Sequence, residues 1–454
     1  MKELSKHNLV ALIGVILFLL IIYLIGYFTP RENFNQFISL YFAAFIIFYG
    51  LWLNKQGWNF RLFLGIAIAA RLILLFAVPQ LSNDFYRFIW DGEMLVSGIN
   101  PYAHIPNDLI SQQPFYADLY MRTLWRGMGE LSQSHYSCYP VLNQLLFALP
   151  AYLFDSIHAN VIFYKLMLIA ADIGIVIVGK KILDFLKKPA HLIWLFALNP
   201  FVILEFSGNL HFEGVMILFI LIGFYALLKN NWLFASFGFA MAIQIKLVPL
   251  IILPFMLKKL KWQAALGFLA ATLFLVIALF LTLMNASFFN NMMASINLYF
   301  QTFEFNASVF NLFREYSLSS LGYDNIAKDG PLLSKISTTL ILLMALFRSY
   351  LVPRDLFTSA LFALAIYYVF ATTVHPWYVS MLLIVSIFTH YKFALVWSAM
   401  VMLSYHAYAH PYFVENGSLI FLEYFLVFSV AVYEIVKHTK WINFGIQFKA
   451  FFGK

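Results

Sequence analysis

The chain has 454 residues, of which 63% are hydrophobic and only 11% charged, and its mean hydropathy is +0.82. Soluble domains carry about a quarter charged residues, so a soluble enzyme or a nucleic-acid-binding module is excluded. The net charge of +8 lies mostly in short clusters between apolar runs, the pattern of a cytoplasmic-loop bias rather than of a basic patch. The single cysteine, Cys138, can form no intrachain disulfide and suggests no cysteine-rich metal site.

Backbone polar groups cannot stay unpaired in lipid, which leaves helices or closed barrels. The apolar runs here are continuous rather than alternating, which argues against a barrel. The expectation is therefore an all-α polytopic membrane protein. At its start, Lys2 and Lys6 precede the run 8–28, and no small-residue cleavage site follows, so this reads as a retained first helix. Further runs of spanning length, roughly 17 to 25 residues, are 37–53, 60–79, 159–183, 191–207, 212–228, 262–284, 333–348, 355–373, 377–390, 393–408 and 418–437. About twelve spans are thus expected.

Two stretches are settled by charge. If Tyr139 to Phe154 crossed the bilayer, Lys180, Lys181, Lys187 and Lys188 would fall outside. Read as an interfacial helix, it returns them to the cytoplasm. Residues 231–257 have lysines on both flanks but are too few for two crossings. A short helical hairpin fits, with its bend near "QIKLVP", Gln244 to Pro249, and Lys246 at its tip. Lys55, Arg61, Arg348, Arg354, Lys392, Lys437, Lys440 and both termini then lie inside, and the tail 441–454 rests on the inner leaflet. The chain reads as one integral membrane domain. It comprises two N-terminal spans (1–59), a core 60–284 with an outer loop 80–158, and C-terminal spans 285–454 with an outer loop 285–332. No clear internal repeat appears.

The polar residues gather on the outer side. "SNDFYRFIWDGEMLVSGINPY" begins the first outer loop. If helical, Asp84, Arg87 and Asp91 share a face at i, i+3 and i+7. Phe85, Tyr86, Phe88 and Trp90 between them hold the segment against the bundle. "GNLHFEG" places His211 and Glu213 at a turn between spans, where a structural hydrogen-bond role and a functional one are both open. Lys246 needs an anion or carboxylate partner in low dielectric. "TTVHPWYVS" carries His375 and Trp377 at another outer turn, as an aromatic-belt anchor or as part of a site. His406 and His410 have no metal-ligand spacing, and the sequons at Asn285 and Asn306 matter only in a glycosylating compartment. A carboxylate base beside a cation in a lipid-facing cleft is what transfer from a lipid-linked phosphate requires.

These segments resemble the integral membrane glycosyltransferases of the GT-C superfamily, above all the bacterial polyprenyl-phosphate-mannose-dependent mannosyltransferase-like group. The similarity rests on "SNDFYRFIWDG" with Gly98, Asn100, Pro101 and Tyr102 behind it, then "YPVLNQLLFAL", "SGNLHFEG", "IKLVPLIILPFML" and "HPWYVS", in order from about residue 60 to 380. The resemblance implies a GT-C-like bundle and an inverting transfer of a sugar, mannose by family likeness, from a polyprenyl-phosphate donor to a glycan or lipid acceptor. The reaction would lie on the outer face of the cytoplasmic membrane. It implies Asp84 as general base, Asp91 as second acid, and Lys246 with Arg87 on the donor phosphate. Trp90, Tyr102, His211, Glu213, His375 and Trp377 would line the pocket. The family often has two adjacent acids where this chain has Asn83-Asp84, which weakens the case for a divalent metal cofactor. It has Asn-Asp where this chain has Phe212-Glu213. The rival reading is a transporter or flippase of a lipid-linked sugar, which would normally show repeated halves with paired broken helices.

Overall fold

The structure is a computed structural model that describes residues 6–438 except 55–58, 113, 116, 349, 351 and 411. The expected positions of Lys2, Lys55 and Lys440 and of the tail 441–454 lie outside the described residues. Among the described residues the regular structure is helical, with one isolated bridge between Phe305 and Thr373. Six helices are long and apolar enough to cross a bilayer alone, namely Leu9–Phe28, Phe34–Leu53, Ile157–Phe185, Trp262–Leu283, Ile326–Phe347 and Gly417–His438. The protein is a multi-pass membrane protein.

Several expected spans are shorter than the apolar runs that encode them. Phe60–Ile73 has 14 residues and Glu213–Leu228 has 16, and Pro376–Ile387 and Phe393–Tyr408 are also short. Most residues of Glu213–Leu228 are buried by protein. A helix wrapped by neighbours needs less length to satisfy its surroundings than one facing lipid. Run length in the sequence therefore overstates helix length in the centre of the bundle.

The run 191–207, expected as one span, is broken. Ala190–Ala197 and Pro200–Gly208 meet at 50°. The cause is local. The residue before proline is pushed out of the helical region, and Asn199 is extended (φ −63°, ψ 123°). Its Oδ1 accepts from Phe201 N at 3.0 Å, and its Nδ2 donates to Ser398 Oγ at 2.9 Å. The second half ends in a π-helical turn, Ile203–Gly208, and Leu210 follows at φ 68°. A leucine in the left-handed region costs on the order of 1 kcal/mol or more. Such backbone is tolerated at membrane depth when it is enclosed by protein, as it is here.

The break is held by a buried ion pair. Arg71 Nε lies 2.5 Å from Asp172 Oδ2, while its Nη1 donates to Ala67 O and Ala197 O at 3.0 and 2.8 Å. One guanidinium thus ties Phe60–Ile73, Ile157–Phe185 and the first half of the broken span together. Just above, Lys165 Nζ donates to the carbonyls of Leu74 and Ala77. Both carbonyls lie in the turn that follows Phe60–Ile73. The expected hairpin is present. Trp232–Ile245 stops at Lys246, which is extended (φ −155°, ψ 143°), and Val248–Ile252 and Leu253–Lys259 turn the chain back.

The loop 80–158 folds as a cap. Asp84–Val96 packs on the 13-residue helix Val141–Leu153, with Phe88 and Phe147 stacked at 4.6 Å and 8°. At 13 residues this helix is too short to span, in line with its interfacial reading. A Cβ at Gly92 would stand 2.4 Å from the Phe147 carbonyl oxygen, so the glycine of "WDG" allows the two helices to touch.

Removing the Arg71 guanidinium should strand the Asp172 carboxylate, a loss of about 3–5 kcal/mol for a broken buried pair. Arg71→Met is expected to melt far below wild type in detergent, and Arg71→Met/Asp172→Leu to recover most of the difference.

Candidate functional site

A cavity of about 690 Å³ opens beneath the loop 80–158, within the range of small-molecule sites. Its walls come from segments remote in sequence. Asp84 and Arg87 enter from the loop helix, His211 and Glu213 from the turn after the broken span, and Lys246 from the hairpin bend. His375 and Trp377 come from the turn 371–377, and Tyr405 and Tyr408 from a late span. The structure thus brings Asp84, Arg87, His211, Glu213, Lys246, His375 and Trp377 together.

Lys246 Nζ pairs with Glu213 Oε1 and stands 4.1 Å from the centroid of the Tyr378 ring. The Glu213 side chain is almost fully buried, while Lys246 keeps 27% exposure toward the cavity. The cation is thus held in place without being enclosed. Trp377 lies between two imidazoles, His211 at 3.6 Å and 18° and His375 at 4.5 Å and 6°. The loop after Phe288–Gln301 braces this turn, with Phe305 N donating to Thr372 O at 3.1 Å and Val374 N to Phe305 O at 2.8 Å.

Asp84 differs from Glu213, the acid across the cavity that is paired with Lys246. Its backbone N–H donates to Ser82 Oγ at 3.3 Å, but no group among the described residues donates to its carboxylate. Burial lifts its pKa from 3.8 to about 6. The Lys246 charge opposes that rise, the Glu213 charge adds to it, and Arg31 opposes it. Three polar atoms in the walls also lack partners among the described residues, namely Asn143 Oδ1, His211 Nε2 and His375 Nδ1. Buried polar atoms are normally satisfied, so these three mark places in the cavity wall where packing leaves a polar atom unpaired.

Asp91, Trp90 and Tyr102 are not in the wall. Asp91 is 1% exposed and accepts from Arg87 Nε at 2.7 Å, Ser137 Oγ at 2.6 Å and Gln144 Nε2 at 3.1 Å. Arg87 also donates to the carbonyls of Ser132 and His135 at 2.5 and 2.9 Å. The expected shared face of Asp84, Arg87 and Asp91 exists, but seven residues of helix are about 10 Å long. The far end is roofed by residues 132–144. Tyr102 belongs to a clasp. Its hydroxyl donates to Tyr139 O at 2.6 Å, its carbonyl accepts from Asn291 at 2.8 Å, and Asn100 donates to Leu283 O at 2.6 Å. Gly98, at φ 74°, begins this clasp with a conformation that favours glycine. Trp90 is 1% exposed and packs near Phe115.

Sequence reasoning missed Glu205, Arg31 and Tyr405. Glu205, fully buried in the π-helical turn, accepts from the Tyr405 hydroxyl at 2.9 Å and Asn209 at 3.3 Å. Its Oε2 lies 3.3 Å from His211 Nε2, at an angle that makes no hydrogen bond. An acid inside an apolar run is itself a signal. Arg31, on the turn between the first two helices, lies 5.1 Å over the Tyr408 ring. Among the described residues no group of three or more His, Cys, Asp or Glu is placed to hold a metal ion.

Residues 36–261 match the family model described as alpha-(1->6)-mannopyranosyltransferase, N-terminal domain. Alpha-(1->6)-mannopyranosyltransferase A of Corynebacterium glutamicum is 26% identical over 186 residues, 40% of this chain and 35% of that protein. The alignment therefore spans about a third of the relative's length. No solved structure matches. The two matches support a GT-C-like mannosyltransferase, and the family match includes Asp84, Glu213 and Lys246.

Asp91→Ala should act on the fold of the cap. It leaves Arg87, Ser137 and Gln144 without their shared acceptor, a loss of about 3 kcal/mol for a broken buried pair. Thermal melting should fall accordingly, while whatever activity survives should keep the wild-type pH profile.

Proposed function

We propose that this chain is a membrane glycosyltransferase that moves a sugar, best read as mannose, from a polyprenyl-phosphate donor to a hydroxyl of a glycan or lipid acceptor. Transfer takes place on the outer face of the cytoplasmic membrane. The observation that carries this reading is a bare, partly buried carboxylate, Asp84, facing the same cavity as a cation that is held but still accessible, Lys246.

Each group has a task set by its surroundings. With a pKa of about 6, Asp84 is mostly ionised near neutrality yet basic enough to accept a proton, the match a general base needs. It removes the acceptor's hydroxyl proton as the oxygen attacks the anomeric carbon. The bond from that carbon to the carrier phosphate oxygen breaks, and the configuration inverts. The leaving phosphate gains negative charge, and Lys246 is positioned to hold it, steadied by Glu213 and the Tyr378 ring. Apolar residues Leu247, Leu250, Ile251 and Ile296 extend the wall from Lys246 and suit an isoprenoid tail. The wall residues Asn143 and His375 suit sugar hydroxyls. Asp91 and Arg87 position the cap that carries Asp84 rather than touch substrate.

Asp84→Asn should lower transfer from a radiolabelled polyprenyl-phosphate sugar by about 10²–10⁴-fold, the usual worth of a general base. The same change should raise the melting temperature. The folded-state pKa lies above the ordinary 3.8, so the unfolded chain gives up this proton more readily, and wild type loses stability as pH rises from about 4 through about 6. Near-full turnover by Asp84→Asn would remove it as the base. Passage of the lipid-linked sugar across liposomes without donor consumption would favour the transporter reading.

Wild-type turnover should decline on the acid side with a midpoint near pH 6, and at pH 5 about a tenth of Asp84 remains ionised. Lys246→Gln should weaken donor use at every pH and move that midpoint upward, since loss of the cation removes an influence that lowers the Asp84 pKa. An acid limb that stays in place when Asp84 is replaced would assign the ionisation to another group.

A further inference from the structure

A second, smaller cavity of about 190 Å³ lies at the opposite end of the bundle. Pro376–Ile387 and Phe393–Tyr408 each have one end at the large cavity and the other here, and the broken span starts here and leads to the turn at His211–Glu213 in the large cavity. Leu192, Leu195, Ile387 and Leu395 contribute to its lining, as do Lys188, Thr389, His390 and Lys392.

Its electrostatics are uneven. Lys188 donates from Nζ to the Thr389 carbonyl, and its pKa is pushed down to about 8, first by burial and then by the charges of Arg354 and Lys392. Arg354, Lys188 and His438 all bear on His390, whose ring stacks on His438 at 5.5 Å. Arg348 and Arg354 both bear on Tyr391. Two acids stand nearby, and both are engaged. Glu434 accepts from the backbone N–H groups of Lys392 and Phe393 at 2.8 and 3.0 Å, and Asp355 Oδ2 accepts from Val352 N at 3.0 Å. The Lys392 ammonium meets no acceptor among the described residues. Two lysines and a histidine from two chain segments thus line one small cavity, with Arg354 close enough to bear on Lys188 and His390. Such a cluster is unfavourable when empty and favourable around an anion.

We propose that this pocket binds a phosphate group, its source being the headgroup of an anionic membrane phospholipid whose acyl chains lie along the neighbouring leucine and isoleucine side chains. Basic pockets between helix ends recognise lipid phosphates in this way. Inorganic phosphate has the same head chemistry but makes no use of the apolar wall. The site is separate from the transfer cavity and would couple the protein's stability to the charge of the leaflet around it.

The full chain in phosphatidylcholine nanodiscs would be melted with and without phosphatidylglycerol, and separately with inorganic phosphate. Three proteins are compared: wild type, Lys188→Gln/Lys392→Gln, and Lys180→Gln, which removes an exposed lysine paired with Asp184 on the same long helix. Phosphatidylglycerol should raise the melting temperature of wild type and Lys180→Gln by a few degrees, as a ligand of the folded state does, and leave the double variant unmoved. Native mass spectrometry should show one retained phosphatidylglycerol fewer on the double variant, a readout that holds even if that variant melts low. An equal rise with inorganic phosphate would uphold the phosphate site and assign it to a free anion. No rise with either, or the same rise and lipid retention in the double variant, overturns the proposal.

Discussion

An ammonium group cannot stand at membrane depth without an anion, and the site is organised around meeting that demand for Lys246. The hairpin raises the lysine to the cavity, and the turn after the broken span presents Glu213 to it. For Glu213 to be there, the span must bend at Asn199-Pro200 and finish in a π-helical turn. That bend is in turn held by Arg71 bridging Asp172 and the Ala197 carbonyl. One buried pair deep in the bundle therefore supports the position of another at the cavity.

The cap follows the same logic with a different anchor. Asp91 gathers Arg87, Ser137 and Gln144, and Arg87 reaches on to two loop carbonyls. These contacts roof most of the loop helix and leave only its first turn open to the cavity. Asp84 sits in that turn. The Asn100–Tyr102 clasp then ties the cap to the far helical hairpin, Trp262–Leu283 and Phe288–Gln301. The cavity is consequently bounded by segments from nearly the whole chain.

Much of this was legible beforehand because charge is costly in a membrane. The helical class, the short non-spanning helix at 141–153, the hairpin bend and the convergence of Asp84, Glu213, Lys246 and His375 all follow from where charged and polar residues interrupt apolar runs. What stayed hidden depends on which remote segment covers a given residue. Asp84 and Asp91 look equivalent in the sequence, and only the loop 132–144 distinguishes them. The Asn199-Pro200 break carried a local signal that an apolar run masked. Glu205 was passed over because its partners, Tyr405 and Asn209, come from a distant span and a turn.

Among the acids of this molecule, saturation separates structural roles from chemical ones. Asp91, Glu205 and Glu423 each accept from two or more protein donors, and such a carboxylate has little capacity left for a substrate proton. Asp84 accepts none among the described residues, and burial raises its pKa. A bare carboxylate is unfavourable in the resting protein, so its persistence has to be supported by the rest of the fold. That support is visible in the Asp91 network directly behind it, which fixes the helix so firmly that its first residue can stay unpaired. Asp91 and Asp84 are therefore two parts of a single device, set two turns apart on one helix.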